Sequence, residues 1–100
     1  MYYYMDMPFE SQTVAEQTLG SIKMFRRSPD RLGTAADGSD IRWRGYVLLA
    51  TDISKLSNIT NAAEGSEAFI ADTGKIYMLC DGQWSEWTGS GGTTLKWSHV

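Results

Sequence analysis

The clearest hydrophobic pattern in the chain lies between residues 67 and 87, where short apolar runs alternate with turn signals. Asp72-Thr73-Gly74 fits a three-residue hairpin closed by a glycine in the left-handed region. Asp81-Gly82 is a strong two-residue hairpin signal, because both positions need a positive φ. The pattern therefore predicts a three-stranded antiparallel meander with strands at 67–71, 75–80 and 83–87.

The segments before the meander give weaker and partly ambiguous patterns. Apolar and polar residues alternate in 21–27 and 41–50, which predicts two further strands. Residues 11–20 form either a short helix, capped by Ser11 or Thr13 and stopped by Gly20, or a loop. Two stretches stay open: 28–40 is a loop or an extended β-excursion, and 51–64 is a short helix or a loop crossing one end of the sheet.

These elements predict a mainly β fold, built as a small antiparallel sheet or a barrel-like sandwich. It contains the meander at 67–87 and leaves room for one short helix near 12–19. We expect a single small domain over 11–88, because 100 residues accommodate one core. Residues 89–100 are predicted to be a Gly/Ser linker and a C-terminal tail, in which Leu95 and Trp97 favour a last strand.

The first ten residues, MYYYMDMPFE, are aromatic and rich in methionine, whereas chain ends are usually polar. Two interpretations are open: an edge strand of the domain's own sheet, or an arm that reaches onto a neighbour. Tyr and Met are favoured contact residues in protein interfaces. The candidate interface residues are Tyr2, Tyr3, Tyr4, Met5, Met7 and Phe9.

Composition narrows the classes of function. The net charge is −3, with six basic against three acidic residues in 21–44 and acidic flanks on both sides. An acidic chain without a recognised motif is not expected to bind nucleic acid. The longest apolar run, 46–50, is too short to span a bilayer, and the N-terminus lacks the basic start of a Sec-type signal peptide.

Chemistry-bearing residues are sparse. One Cys and one His, Cys80 and His99, cannot form an internal disulfide or a metal-binding cluster, so we expect neither metal nor cofactor. An apolar strand beside Asp81 does not stabilise a thiolate, so Cys80 is not expected to be catalytic. The carboxylates of 64–86 flank turns, where charged residues are common, and no hydrolase or phosphate-loop motif accompanies them. We expect no enzymatic activity.

The aromatic residues allow one sharper interpretation. Exposed tryptophan and tyrosine rings stack on sugars, whereas most such rings close a core or meet a protein partner. The candidate aromatic platform consists of Trp43, Tyr77, Trp84 and Trp87.

The segment 46–87 contains a longer motif. It has Thr51-Asp52 after a strand, a Gly65-Ser66 step before Phe69, and then DTGKIYMLCDGQWSE. Its matching positions in that final stretch are Asp72-Thr73-Gly74-Lys75, Tyr77, Gly82, Trp84 and Glu86. This string resembles a segment common in small structural proteins of tailed bacteriophages, although that family usually has prolines in the loop and this chain has none between Thr51 and Gly65.

The resemblance covers under half of the chain and implies a virion component without catalysis. The expected roles are a capsid decoration or head-fibre protein, or a small head–tail or tail piece. The expected partners are other capsid, neck or tail proteins, with homo-oligomerisation or assembly on a particle and no membrane or nucleic acid. Such a protein would be made in the host bacterial cytoplasm and located in the virion. A glycan or host-surface binding module is the alternative.

Overall fold

The computed structural model describes residues 1–87, and these residues form a mainly β fold. Its strands and helices, in chain order, are β1 (Tyr2–Tyr4), β2 (Met7–Phe9), α1 (Gln12–Leu19), β3 (Lys23–Arg27), β4 (Gly33–Thr34), β5 (Asp40–Ile41), β6 (Arg44–Leu48), a 3₁₀ helix (Ala50–Asn58), β7 (Glu67–Ile70), β8 (Ile76–Cys80) and β9 (Gln83–Trp87). The predicted linker and tail, with Leu95 and Trp97, lie outside the described residues.

A five-stranded sheet in the order β3-β6-β7-β8-β9 is the centre of the fold, and β1-β2 and β4-β5 are separate two-stranded hairpins. The predicted meander is confirmed as β7-β8-β9. The sheet is mixed rather than antiparallel, because β6 and β7 run parallel. A parallel pair needs a crossover connection, and the 3₁₀ helix with residues 59–66 supplies it. The sheet is open within residues 1–87, so the barrel-like alternative is wrong.

The predicted short helix is confirmed as α1. Ser11 caps it, since its Oγ accepts the Val14 N–H at 3.2 Å. Gly20 ends it at φ 57° and ψ −125°, and the Gly20 N–H donates to the Glu16 carbonyl at 2.8 Å. Only glycine adopts this backbone conformation readily. The helix buries Ala15 and Leu19 against the domain.

One face of the sheet, here called the inner face, carries the core. Alternation along the strands directs the same side chains inward on each strand. The inner-face residues Tyr46, Leu48, Ala68 and Ile70 are at most 2% exposed, and they pack with Leu19, Ile22 and Leu56 from the covering layer.

The N-terminal residues pair with each other instead of joining the main sheet. β1 and β2 form an antiparallel hairpin whose turn residues, Met5 and Asp6, have φ values of 51° and 70°. Met5 and Met7 are buried in the chain's own core, at 8% and 1% exposure. The segment is therefore neither an edge strand of the five-stranded sheet nor, at these two methionines, an arm on a neighbour, because the hairpin supplies part of this core.

A fully buried arginine joins this hairpin to the rest of the fold. The side chain of Arg44 is 0% exposed. Its guanidinium donates to Asp6 Oδ2 at 2.8 Å, to the Asp40 carbonyl at 2.8 Å and to the Asn61 carbonyl at 3.0 Å. Asn61 Nδ2 in turn donates to the Met5 carbonyl at 3.1 Å. Arg44 thus holds the hairpin turn, β5 and the crossover loop at one point.

Candidate functional site: the outer face of the sheet

The face of the five-stranded sheet opposite the core is here called the outer face. Strand register places on it Lys23, Phe25 and Arg26 of β3, Gly45 and Val47 of β6, Glu67 and Phe69 of β7, Ile76 and Met78 of β8, and Trp87 of β9. Phe25 is 52% exposed. The apolar side chains of Val47, Phe69, Ile76 and Met78 are only partly buried. A sheet face that groups an exposed phenylalanine with partly buried apolar side chains is a candidate interaction surface.

A β-bulge in β3 places Arg26 on this face beside Phe25, whereas strict alternation would direct Phe25 outward and Arg26 inward. The register between β3 and β6 shifts between Met24 and Arg26, so Phe25 is the extra residue. Bulges re-aim side chains in this way. The Phe25 ring lies over Gly45, where an added Cβ would come within 3.0 Å of it, and packs against Phe69 with centroids 5.6 Å apart. Glycine at position 45 thus makes room for the ring.

Arg26 shares the outer face with two aromatic rings. Its guanidinium carbon lies 5.7 Å from the Phe25 ring centre and 5.9 Å from that of Trp43. Cation–π contact at these distances orients an arginine while leaving its N–H groups at the edge of the guanidinium plane. None of the ion pairs found within residues 1–87 involves Arg26.

Trp43 is fixed by the loop that precedes β7. Its indole N–H donates to the Gly65 carbonyl at 2.7 Å. Gly65 has a φ of 90°, and the next residue, Ser66, is fully buried and accepts the Arg44 N–H at 3.0 Å through its Oγ. The Gly65-Ser66 step therefore anchors both the crossover loop and one ring of the outer face.

The four residues of the predicted aromatic platform do not form one surface. Tyr77 and Trp84 lie on the inner face, where Trp84 meets the Tyr46 ring edge-to-face with centroids 5.9 Å apart. Trp87 lies on the outer face by its pairing with Ile76, and Trp43 joins that side through Arg26. The sheet itself separates the two pairs, so a single four-ring stacking surface is excluded.

The predicted interface residues of the N-terminus also divide. Met5 and Met7 are buried, as described above. Tyr4 donates its hydroxyl to the Ile22 carbonyl at 2.8 Å, and it packs against the core together with Phe9. Burial raises the pKa of the Tyr4 phenol. Tyr2 is half-buried, and Tyr3 is the aromatic side chain of this hairpin that remains largely exposed, at 65%.

Two acidic residues of the segment 46–87, Asp52 and Asp72, accept hydrogen bonds that stabilise the fold. The Asp52 carboxylate accepts the Ser21 N–H at 2.8 Å and the Ser21 hydroxyl at 2.6 Å, and these bonds lower the pKa of Asp52. Asp72 Oδ1 accepts the Ala50 N–H at 2.9 Å, at the start of the 3₁₀ helix. Each carboxylate thus satisfies backbone donors where two elements meet.

Glu64 has a comparable role at the second hairpin turn. Its two carboxylate oxygens accept the Asp81 N–H at 2.5 Å and the Gly82 N–H at 3.0 Å. Asp81 and Gly82 have φ values of 53° and 76°, and Gly74 in the other turn has 76°, which confirms both predicted turns. Among the carboxylates of 64–86, Glu64 and Asp72 thus accept backbone N–H groups at two different places in the fold.

Cys80 lies at the end of β8 and is exposed, where the sequence pattern had placed it in an apolar environment. It comes directly before the hairpin turn, where the strand leaves the sheet. Among the described residues, no group of three or more His, Cys, Asp or Glu side chains is arranged to hold a metal ion. No helix within residues 1–87 has the length and apolarity to cross a membrane.

A cleft of about 510 Å³ lies beside the 3₁₀ helix, on the opposite side of the sheet from the outer face. Its apolar walls include Ile53, Leu79 and Trp84, and the polar residues Ser54 and Ser57 also line it. The cleft has the mixed lining of a small-ligand site.

Sequence patterns missed the principal residues of the outer face. Phe25 lies in the predicted strand 21–27, but the bulge that turns Arg26 to the same face has no signal in the sequence. Gly45, in the middle of an otherwise β-rich segment, is the available hint, since a strand glycine marks a bulge or a close approach.

A scan against protein-family models, a search of curated proteins and a search of solved structures each found no match to this chain.

Proposed function

We propose that this chain is a non-enzymatic structural protein that acts by binding other proteins through the outer face of its sheet. The observation that carries the proposal is an aromatic cluster in which Arg26 lies over Phe25 and Trp43, and Phe25 packs against Phe69. Aromatic residues and arginine are enriched in protein interfaces and dominate their binding energy. Such a face gains its full stabilisation only when another protein covers it.

The particle proposed for it is the virion of a tailed bacteriophage, as a capsid decoration or head-fibre protein or a head–tail accessory. This rests on the resemblance of residues 46–87. Asp52, Asp72 and the Gly65-Ser66 step hold elements together within the fold. The resembling residues thus support a shared scaffold, while the outer face, with Phe25 and Arg26 outside that segment, supports a contact specific to this chain.

The first experiment is peptide mass spectrometry on density-banded particles from the source culture, with copy number measured against the major capsid protein. A high copy number supports shell decoration, and a few copies per particle support a neck, tail or vertex position. Complete absence from clean particles contradicts the virion role.

Two matched variants test which surface binds. Phe25→Asp places a charge on the outer face, and Tyr3→Asp places one on the exposed part of the N-terminal hairpin. We expect Phe25→Asp to lower the occupancy of purified particles at least about tenfold, since desolvating a new charge in an interface costs more than 1.4 kcal/mol. Tyr3→Asp should leave occupancy unchanged. The reverse result would move the binding surface to the hairpin.

A second candidate, binding of a small glycan, is confined to the cleft beside the 3₁₀ helix. The observation that favours it is the half-buried Trp84 in the cleft wall, in a cleft that Ser54 and Ser57 also line. An aromatic ring with adjacent hydroxyl groups is suited to sugar recognition. A glycan array probed with the wild type and Ser54→Ala tests it. Hits that weaken in the variant support the cleft, and an empty array contradicts it.

A further inference from the structure

Two opposite charges flank Gly45 on the outer face. Arg26 pairs with Gly45 across β3 and β6, and Glu67 pairs with Gly45 across β6 and β7. The three residues therefore form a row perpendicular to the strands. Neighbouring strands are about 4.8 Å apart, so the Cα atoms of Arg26 and Glu67 are separated by roughly 10 Å.

Neither charge takes part in an ion pair found within residues 1–87. The other four ionised side chains at the arginine-rich edge, Arg27, Arg42, Arg44 and Asp6, are paired among themselves or with Asp40. Arg26 is exposed and held over aromatic rings, and Glu67 is half-buried between apolar neighbours. A half-buried carboxylate is stabilised most by an arginine that reaches it in a bidentate geometry.

We propose that a second copy of this chain docks face to face on the outer face, about a two-fold axis that runs along β6 above Gly45. Rotation about that axis exchanges the two sides of the row. Arg26 of each copy then lies opposite the partner's Glu67, and Glu67 lies opposite the partner's Arg26. One two-fold rotation thus pairs both charges with opposite charges of the other copy. An isologous interface requires this self-complementarity.

The apolar side chains fit the same arrangement. Phe25 lies over Gly45, close to the axis, so the two copies of this ring meet at the centre of the interface. Sheets packed face to face are about 10 Å apart, a distance that such rings and Val47 fill. The proposed interface covers β3, β6 and β7. The outer-face side chains of β8 lie at its edge. This inference rests on the proposed function, since it names the protein that covers the outer face.

Charge reversal tests the axis directly. Arg26→Glu gives a homodimer with two Glu–Glu contacts, and Glu67→Arg gives one with two Arg–Arg contacts. We expect sedimentation equilibrium to show each variant associating at least about tenfold more weakly than the wild type, because like charges across an interface repel. An equimolar mixture of the two variants should recover association, because both cross-contacts become Arg–Glu pairs. The double variant R26E/E67R should also recover it.

The matched control is the pair Glu10→Arg and Arg31→Glu, which reverses exposed charges away from the outer face. These variants should sediment as the wild type does. Near-UV circular dichroism of every variant confirms an intact fold, and the recovery arms exclude a simple loss of folding.

A wild type that stays monomeric to about 100 μM, a concentration that corresponds to a binding free energy near 5.5 kcal/mol, overturns the inference. So do single variants that associate normally, or a mixture that does not recover. A monomeric chain that is still found in particles, and is lost from them by Phe25→Asp, would overturn the face-to-face dimer alone and leave the proposed function standing.

Discussion

At the scale of single residues, the polar groups buried in this protein join segments that are distant in sequence. Arg44 connects β6 to the hairpin turn, to β5 and to the crossover loop through three hydrogen bonds. Its partner Asp6 also binds Arg27 at 2.7 Å. Partial burial acts to raise the pKa of Asp6, but the hydrogen bonds from Arg44 and Arg27 outweigh it and lower the pKa. Residues of this kind stabilise the fold mainly by giving buried polar groups hydrogen-bond partners, although the Tyr46 hydroxyl and Asn61 Oδ1 have none within residues 1–87.

Replacing Arg44 with methionine should destabilise the fold strongly. The variant retains the aliphatic stem but removes the Arg44 donors to Asp6 and to the Asp40 carbonyl and leaves the Asn61 carbonyl with the Arg42 N–H alone. We therefore expect a loss on the order of 3 kcal/mol in the free energy of unfolding. Urea denaturation measures it. Arg31→Met is the control, because Arg31 is exposed and bonds the Thr34 hydroxyl alone among the contacts found here. Equal effects at both positions would contradict the role assigned to Arg44.

The hydrogen bonds of Asp52 predict how the stability of the fold depends on pH. Its folded-state pKa lies below the ordinary value of 3.8, first because the Ser21 hydroxyl donates to it and then because the Ser21 N–H does. Its contribution to stability is therefore present above that ordinary pKa and is lost as the pH falls through the folded pKa. Asp52→Asn should be less stable than the wild type near pH 7, and the gap should narrow below about pH 4.

Thermal unfolding followed across this pH range measures the gap. Asp30→Asn provides the comparison, because the side chain of Asp30 is exposed and appears in none of the ion pairs within residues 1–87. A gap for Asp52→Asn that stays constant with pH would show that the carboxylate charge is not what the Ser21 donors stabilise.

At the scale of secondary structure, the turns were the most predictable elements and the pairing of β6 with β7 the least. Asp81-Gly82 and Gly74 require positive φ values that few residues adopt, so their signal is local and readable. α1 has a similar local signal in Ser11 and Gly20. The parallel pairing depends on the crossover through residues 49–66, a stretch whose Ser, Thr and Asn residues predict a helix and a loop equally well.

The same distinction applies to the candidate site. The apolar residues of β8 can be assigned to faces by alternation. The contact of Arg26 with Phe25 and Trp43 depends instead on a bulge and on tertiary packing. One feature of the sequence indicates that Arg44 is buried: alternation along β6 directs it to the same face as Tyr46 and Leu48. Charged residues are rarely buried, so that feature pointed against the usual expectation.

Gly20 offers a test of an element boundary. An added Cβ would lie 2.6 Å from Asp52 Oδ1 in a backbone conformation with a φ of 57°. Gly38 also has a positive φ, 90°, but has nothing within 4 Å of the added atom. We expect Gly38→Ala to cost about 1 kcal/mol from backbone strain, and Gly20→Ala to cost roughly 1–2 kcal/mol more because the Asp52 carboxylate must move. Chemical denaturation of both variants measures the difference.

Equal costs for the two glycines would mean that backbone strain alone accounts for both. A larger cost at Gly20 that disappears in the Asp52→Ala background would assign the excess to the steric contact, because double-mutant cycles isolate such pairwise coupling.

At the scale of the whole molecule, the N-terminal hairpin is part of the folding unit. Met5 and Met7 belong to the same core cluster as Tyr46 and Ile70. Removing two buried methionines leaves cavities that cost about 2–5 kcal/mol each, which approaches the 5–15 kcal/mol of total stability usual for a domain.

Deleting residues 1–9 should therefore abolish cooperative unfolding, with loss of the near-UV circular dichroism of the tryptophans. Tyr3→Ser is the control, since Tyr3 lies on the same hairpin but is 65% exposed, and it should unfold as the wild type does. A truncated chain that retains a cooperative transition at the original temperature would identify the segment as a dispensable arm.

The bond from Asn61 to Met5 has a consequence for synthesis of the chain on the ribosome. The two residues are 56 positions apart, and Arg44 is 38 positions after Asp6. At about 5–20 residues added per second, Asn61 is synthesised roughly three to eleven seconds after Met5. Met5 and Met7 are thus synthesised well before the later residues of their core cluster, such as Ala68 and Ile70. If the ribosome stalls before Asn61, the apolar side chains of this tyrosine-rich segment stay exposed. Other nascent chains can then bind them.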